Sequence, residues 1–244
     1  MRLASAVEIP GASPISLAHV LGHRLKSQPK SPSTPVVFVV DDDVSVRESL
    51  ELLISCEAWQ PVTFASAQEF LDCPRSLAPS CLVLDVALPG FNGLDLQKRI
   101  AVERMDMPII FITGLPDVKM AVQAMKAGAV EFLTKPFDEE VLLSAIRQAL
   151  ERSRVALGLQ TQMRALWACY ASLTRRERQV MALVVAGLLN KQVGGELGIS
   201  EITVKAHRGQ VMQKMKAASL PDLVKMAARL CLEDATSSYT SAVC

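Results

Sequence analysis

The stretch CLVLDVALPG, Cys81 to Gly90, decides how the first half of the chain is read. Cys81, Leu82, Val83 and Leu84 form an apolar run too short for a helix and suited to a strand buried on both faces. The run stops at a carboxylate, Asp85, and a Pro-Gly turn follows. An Asp at the end of a buried strand is costly unless a counter-charge or a ligand compensates it. The rest of the sequence has to supply that compensation.

Similar runs flank this one: VVFVV (36–40), QPVTF (60–64), PIIFI (108–112) and VEFL (130–133), each rich in β-branched or aromatic residues. Between them lie amphipathic segments at 43–57, 66–73, 92–103, 117–127 and from 138 onward. Five such β–α repeats predict an α/β doubly wound, five-stranded parallel sheet, because parallel strands need crossover helices. The last helix overruns the sheet. From Asp138 to Trp167 apolar residues recur at helical spacing, with Gly158 the one soft spot. Residues 151–170 therefore read as a helical linker and a candidate dimer seam, or as an ordinary surface helix with a frayed end.

From Leu173 the pattern is wholly helical, at 174–187, 190–197, 201–215 and 221–232, punctuated by Gly187, Gly198 and Pro221. The Pro/Ser-rich start (1–34) reads as a flexible leader with no h-region, and the end (233–244) as a disordered tail. No apolar run approaches the roughly 20 residues of a membrane helix, so the expected location is cytoplasmic. The six cysteines show no metal-ligand spacing and read as reduced thiols. A net charge of +1 hides an asymmetry: residues 36–150 hold 17 acidic and 9 basic side chains, residues 171–231 hold 4 and 10. Only the second region suits a polyanion.

In an open α/β sheet, ligands bind beyond the carboxyl ends of the strands. Strand 1 runs into Asp41-Asp42-Asp43, strand 3 ends at Asp85, strand 4 ends at Thr113, and Lys135-Pro136 follows strand 5. Clustered carboxylates repel one another unless a cation joins them, and hard oxygen donors suit Mg²⁺. Asp41 and Asp42 are the expected metal ligands. Asp85 is then expected to stand exposed at its strand end as a nucleophile able to form an aspartyl phosphate. The metal, Lys135 and Thr113 would stabilise charge on the transferring phosphoryl group.

VVDDD, VLDVALPGFNGLDL, IFITGLPD and FLTKPF together resemble the flavodoxin-like receiver domain of two-component response regulators, over residues 35–150. The resemblance implies that a sensor histidine kinase phosphorylates Asp85, with Asp41 and Asp42 holding Mg²⁺ alongside Asp85. It also implies that Thr113 reorients toward the phosphate, that Lys135 contacts it, and that the aromatic of strand 5 swings inward. That aromatic is Phe132, which has no hydroxyl; a switch and a passive core residue are both open readings. Ala87 and Leu115, two residues beyond Asp85 and Thr113, occupy positions that the resemblance links to water access. Neither can orient a water by hydrogen bonding, so slow self-dephosphorylation is expected.

In residues 173–215, LGIS joins two short helices: Gly198 suits a left-handed C-cap, Ile199 plugs the core and Ser200 caps the next helix. This is helix-turn-helix grammar, in which the second helix enters the major groove. Val204, Val211 and Met215 share an inward face, leaving Lys205, His207, Arg208, Gln210 and Lys214 for DNA. Residues 171–232 resemble the all-α, four-helix LuxR-type domain of the NarL/FixJ subfamily. That implies Lys205, Ala206 and Gly209 facing base edges, and Thr203, His207, Arg208 and Lys214 near phosphates. It also implies that the fourth helix, with Leu220, Leu223, Val224, Ala227 and Leu230 on one stripe, packs on the module and dimerises it. Gly194-Gly195 inside a helix departs from good helix chemistry, costing roughly 1 kcal/mol each relative to Ala. Either packing is very close there or the module is marginal.

The resulting expectation is a transcription regulator switched at Asp85, homodimeric when phosphorylated, binding promoter DNA as an activator, with RNA polymerase a further partner. The competing classes are an aspartyl-phosphate phosphatase, for which no insertion builds a substrate cap, and a receiver controlled by a partner without phosphate.

Overall fold

The computed structural model describes residues 34–89, 93–103, 107–115 and 117–240, and the chain divides into two compact units, Met1–Arg154 and Val155–Cys244. The leader up to residue 33, Gly90 and the last four residues of the tail lie outside the described residues.

The first unit alternates β1 (Val36–Val40), α1 (Val44–Cys56), β2 (Gln60–Phe64), α2 (Ala67–Asp72), β3 (Ser80–Asp85), α3 (Gly93–Glu103), β4 (Ile109–Thr113), α4 (Val118–Lys126) and β5 (Glu131–Thr134). The five strands are parallel in the order β2-β1-β3-β4-β5, so the winding reverses between β1 and β3. Strand side chains alternate between two cores. Phe38, Leu82, Leu84 and Phe111 pack on one face with Phe70 and Leu96. Val37, Val39, Val83, Ile110 and Ile112 pack on the other with Ile54 of α1 and Ile146. Burial on both faces explains why these strands are nearly all apolar.

β3 and β4 each reach one residue past their apolar runs, because Asp85 pairs in register with Ile112 and Thr113 with Thr134. The polar groups thus belong to the sheet's rigid edge. Asp43 caps α1, its Oδ1 accepting from the Ser45 N–H at 2.8 Å, which removes one of the three consecutive aspartates from the acidic group.

α5 runs unbroken from Glu139 to Ala171, through Gly158 and the whole expected linker. Ser153, buried on it, accepts from the Ser80 N–H at 3.0 Å and ties the helix to the start of β3. The second unit continues with α6 (Arg175–Val185), α7 (Asn190–Leu197), α8 (Glu201–Met215) and α9 (Leu220–Thr240). α9 passes the expected end at Leu232, since neither Gly nor Pro interrupts residues 233–240. Its buried stripe is Leu223 and Leu230 with Leu220 and Ala227 partly buried; Val224, a further 100° round, is 40% exposed and off the stripe.

The α7–α8 turn follows its sequence grammar. Gly198 ends α7 at φ 65°, ψ 37°, Ser200 Oγ accepts from the Thr203 N–H at 3.1 Å, and Ile199 packs on the Val180–Val184–Val193–Val204 cluster. The two glycines of α7 have different reasons. A Cβ on Gly194 would sit 2.7 Å from the Ile199 carbonyl oxygen, so the turn's backbone occupies that space, whereas nothing lies within 4 Å of one on Gly195.

Candidate functional site

At the carboxyl edge of the sheet, Asp41 leaves β1, Asp85 ends β3, Thr113 ends β4 and Lys135 follows β5. Lys135 Nζ lies 2.6 Å from Asp41 Oδ2 and 2.6 Å from Asp85 Oδ2, so one ammonium bridges two carboxylates. Asp41, Asp42 and Asp85 each bring a carboxylate oxygen to within 4.8 Å of the others. Asp85 is buried, only 6% exposed, which corrects the expectation of an exposed side chain. It sits inside the β3–β4 ladder beneath Lys135, and its Oδ1 accepts from the Ala87 N–H at 2.8 Å. This answers the cost of ending an apolar strand on a carboxylate: Lys135 and a backbone amide compensate it.

Burial raises the Asp41 carboxyl above its ordinary range, against the pull of Lys135 and of the Asp43 N–H. Lys135 is partly desolvated, which favours its neutral form, yet its bonds to Asp41 and Asp85 win and hold the ammonium above its usual range. Three carboxylates against one ammonium leave a surplus of negative charge built only from hard oxygen donors. That donor set fits a divalent cation such as Mg²⁺.

Thr113 is buried, and its hydroxyl accepts from the Leu115 N–H at 3.1 Å and donates to the Leu115 carbonyl at 3.3 Å. Phe132 is partly buried on the core, its ring 6.2 Å from that of Phe111. One neighbour, Arg47, was not legible in the sequence. Arg47 Nη1 donates to the Asp41 and Asp42 carbonyls at 2.7 and 2.9 Å and pins the acidic loop. Leu115 is 77% exposed at the mouth of the strand edge.

In the second unit, Val204, Val211 and Met215 of α8 are buried, while Thr203, Lys205, Ala206 and Gly209 are exposed and His207 and Arg208 half-buried. Arg208 Nη1 donates to Asn190 Oδ1 at 3.2 Å, across from the start of α7. Lys205 Nζ lies 3.1 Å from Glu201 Oε1. Lys214 Nζ is turned to Glu177, at 2.7 and 2.9 Å from its two carboxylate oxygens. Glu177 is buried and is also the third residue of the Thr174 capping box. The pair joins α6 to α8, a contact across 37 residues that helical periodicity does not reveal.

Two family models match the chain. "Response regulator receiver domain" covers residues 37–147, and "Bacterial regulatory proteins, luxR family" covers residues 171–227. The chain belongs to the two-component response regulators with a LuxR-type DNA-binding domain.

This response regulator is 49% identical over 195 residues to "Nodulation protein W" of Bradyrhizobium diazoefficiens, covering 80% of this chain and 86% of that protein. It is 45% identical over 197 residues to "Transcriptional regulatory protein FixJ" of Azorhizobium caulinodans, covering 80% and 93%. The solved structure of "Response Regulator StyR" superposes with a TM-score of 0.74 at 45% identity, covering 81% of this chain and all of that one. A response regulator of this family is a transcription regulator and not an enzyme. The receiver implies a cognate kinase and the helix-turn-helix implies DNA binding. Among the described residues, no helix is long and apolar enough to cross a membrane.

Proposed function

We propose that this response regulator acts in the cytoplasm, where a sensor histidine kinase phosphorylates it on Asp85 and the phosphorylated homodimer binds promoter DNA. The observation that carries the reading is Lys135 Nζ at 2.6 Å from both Asp41 and Asp85, at the edge of the sheet. The Asp85 carboxylate attacks the phosphorus of the kinase phosphohistidine; the P–N bond breaks as the new P–O bond forms. Lys135 then pairs with a phosphoryl oxygen in place of the carboxylate oxygen it now holds. Arg47 keeps the Asp41–Asp42 backbone in place through the exchange. Asp41, Asp42 and Asp85 would hold Mg²⁺, which when bound would supply positive charge to balance the phosphoryl oxygens.

Thr113 reads the new group. Its hydroxyl leaves the Leu115 backbone for a phosphoryl oxygen, which shifts the loop leading into α4. Phe132 follows inward against Phe111. The face that changes carries exposed Val118, Val122 and Met125 on α4 and Val141 on α5, apolar groups that a second receiver covers on dimerisation. On DNA, Lys205, Ala206 and Gly209 face base edges, while Thr203, His207 and Arg208 lie at phosphates. Lys214 reaches a phosphate only by releasing Glu177, so its role is structural first. The bound dimer recruits RNA polymerase and activates transcription.

The test is the intact mass of the full chain after incubation with a small phosphodonor and Mg²⁺. One added phosphoryl group on wild type and none on Asp85→Asn supports the reading. No added mass on wild type overturns it in favour of a receiver controlled by a partner.

A further inference from the structure

Three buried residues of α8, Val204, Val211 and Met215, fix which way this helix faces. At 100° per residue, the positions opposite them are Ile202, Ala206, Gly209 and Gln213. Ile202 is 80% exposed, the highest value among the exposed large apolar residues of this unit's described portion. It belongs to neither apolar cluster of the unit, so packing does not explain it. Local helix chemistry does not explain it either. It stands in the first turn, where acidic and small polar residues are favoured and a β-branched residue gains nothing.

The surroundings say what covers it. Ala206 is exposed one turn further on, and Gly209 beyond it has no neighbour within 4 Å of a built Cβ, so this face offers an alkyl group, a methyl group and bare backbone. A cation borders it on one side: Lys205, its Nζ 3.1 Å from Glu201 Oε1, whereas Arg208, held by Asn190, lies round toward the buried face. An alkyl strip bordered by a cation suits a polyanion whose recognised edge is itself partly alkyl. In the DNA major groove that edge is thymine, whose 5-methyl group is met by apolar side chains.

We infer that Ile202 is a specificity-determining residue: its side chain, supported by Ala206, reads the 5-methyl group of one thymine in each half-site. The inference rests on the proposed entry of α8 into the major groove, where the N-terminal residues of a recognition helix meet base edges. Ile202 is rigid about its first side-chain torsion and loses little entropy on contact.

The test uses the full chain treated with a small phosphodonor and Mg²⁺. A duplex is enriched from a randomised library, and each of its thymines is then replaced singly by deoxyuridine, which removes only the methyl group. For wild type, one replacement in each half-site weakens binding about fourfold, the worth of one buried methyl group. The same replacement leaves Ile202→Ala binding unchanged, while Ile202→Val keeps part of the dependence. Because Ile202 is exposed, both variants melt as wild type does. An enriched site without a constant thymine overturns the inference. So does an equal deoxyuridine effect in wild type and Ile202→Ala, or no effect at any position. A library that yields no enriched duplex overturns the DNA-binding reading beneath it, and is thereby distinguished from the other outcomes.

Discussion

Adjacent glycines in α7 should respond to the same substitution with opposite signs. Ala in place of Gly lowers the backbone entropy of the unfolded chain and favours the helix by roughly 1 kcal/mol. At Gly195 nothing opposes that gain, because no atom lies within 4 Å of the added Cβ. At Gly194 the Cβ would stand 2.7 Å from the Ile199 carbonyl oxygen, inside contact distance, and the obstacle is backbone. The turn must move, and it cannot move freely: the Ile199 N–H donates to the Gly194 carbonyl at 3.0 Å, and Ile199 packs on the cluster around Val193 and Val204. Overpacking of this kind costs about 1–3 kcal/mol, which exceeds the helix gain. For a unit of this size 1 kcal/mol moves Tm by about 4–8 °C. In a Trp59→Phe background, Trp167, which packs in the second unit, reports this unit's unfolding. Gly195→Ala should raise the midpoint by a few degrees, and Gly194→Ala should lower it. Gly194→Ala should also weaken DNA binding, because the displaced turn carries Ser200 and the start of α8. Equal signs for the two variants would refute the assignment of close approach to Gly194 alone.

The Glu177–Lys214 pair gives an acid-side prediction. The bond from Lys214, aided by the Thr174 backbone, holds the Glu177 carboxyl below its ordinary value of 4.5. A depressed carboxyl stabilises the fold above its ordinary range, and that stability is lost as pH falls through the lowered value. Trp167 fluorescence should therefore show the second unit weakening below about pH 4.5, with a flatter acid limb in Glu177→Gln. Lys214→Met should destabilise the same unit by about 1–2 kcal/mol, less than breaking a fully buried pair, and a pure loss of DNA affinity with unchanged melting would refute the structural role. At the receiver, exposed Leu115 and Ala87 offer no group to orient water, so phosphorylated protein should lose label slowly, over many minutes or longer. Ala87→Asn and Leu115→His should speed the loss; rapid loss unchanged by either substitution would reject the idea.

Much of this was legible in the linear chain, for identifiable reasons. Strand identity followed from short β-branched runs, and the only differences were at ends such as Asp85 and Thr113, where polar residues complete a ladder that hydropathy cannot register. Gly198 and Ser200 were legible because cap chemistry is local. What the sequence concealed was tertiary. Asp85 was expected to be exposed, but its burial depends on Lys135 arriving from 50 residues away. Lys214 was assigned outward by helical position, yet Glu177 of another helix holds it. Gly194 and Gly195 are indistinguishable as letters, and only the path of the α7–α8 turn separates them.

The division of labour along α8 has an evolutionary consequence. Val204, Val211, Met215 and the anchored Lys214 hold the helix, while Ile202, Lys205, Ala206 and Gly209 carry none of its apolar packing. Exchange at these outward positions leaves the fold's stability nearly untouched. If these positions read DNA as proposed, new promoters can be acquired by exchange at a few tolerant sites while the packing of the frame is kept. Descendants of one ancestral regulator can diverge in the genes they govern long before they diverge in shape.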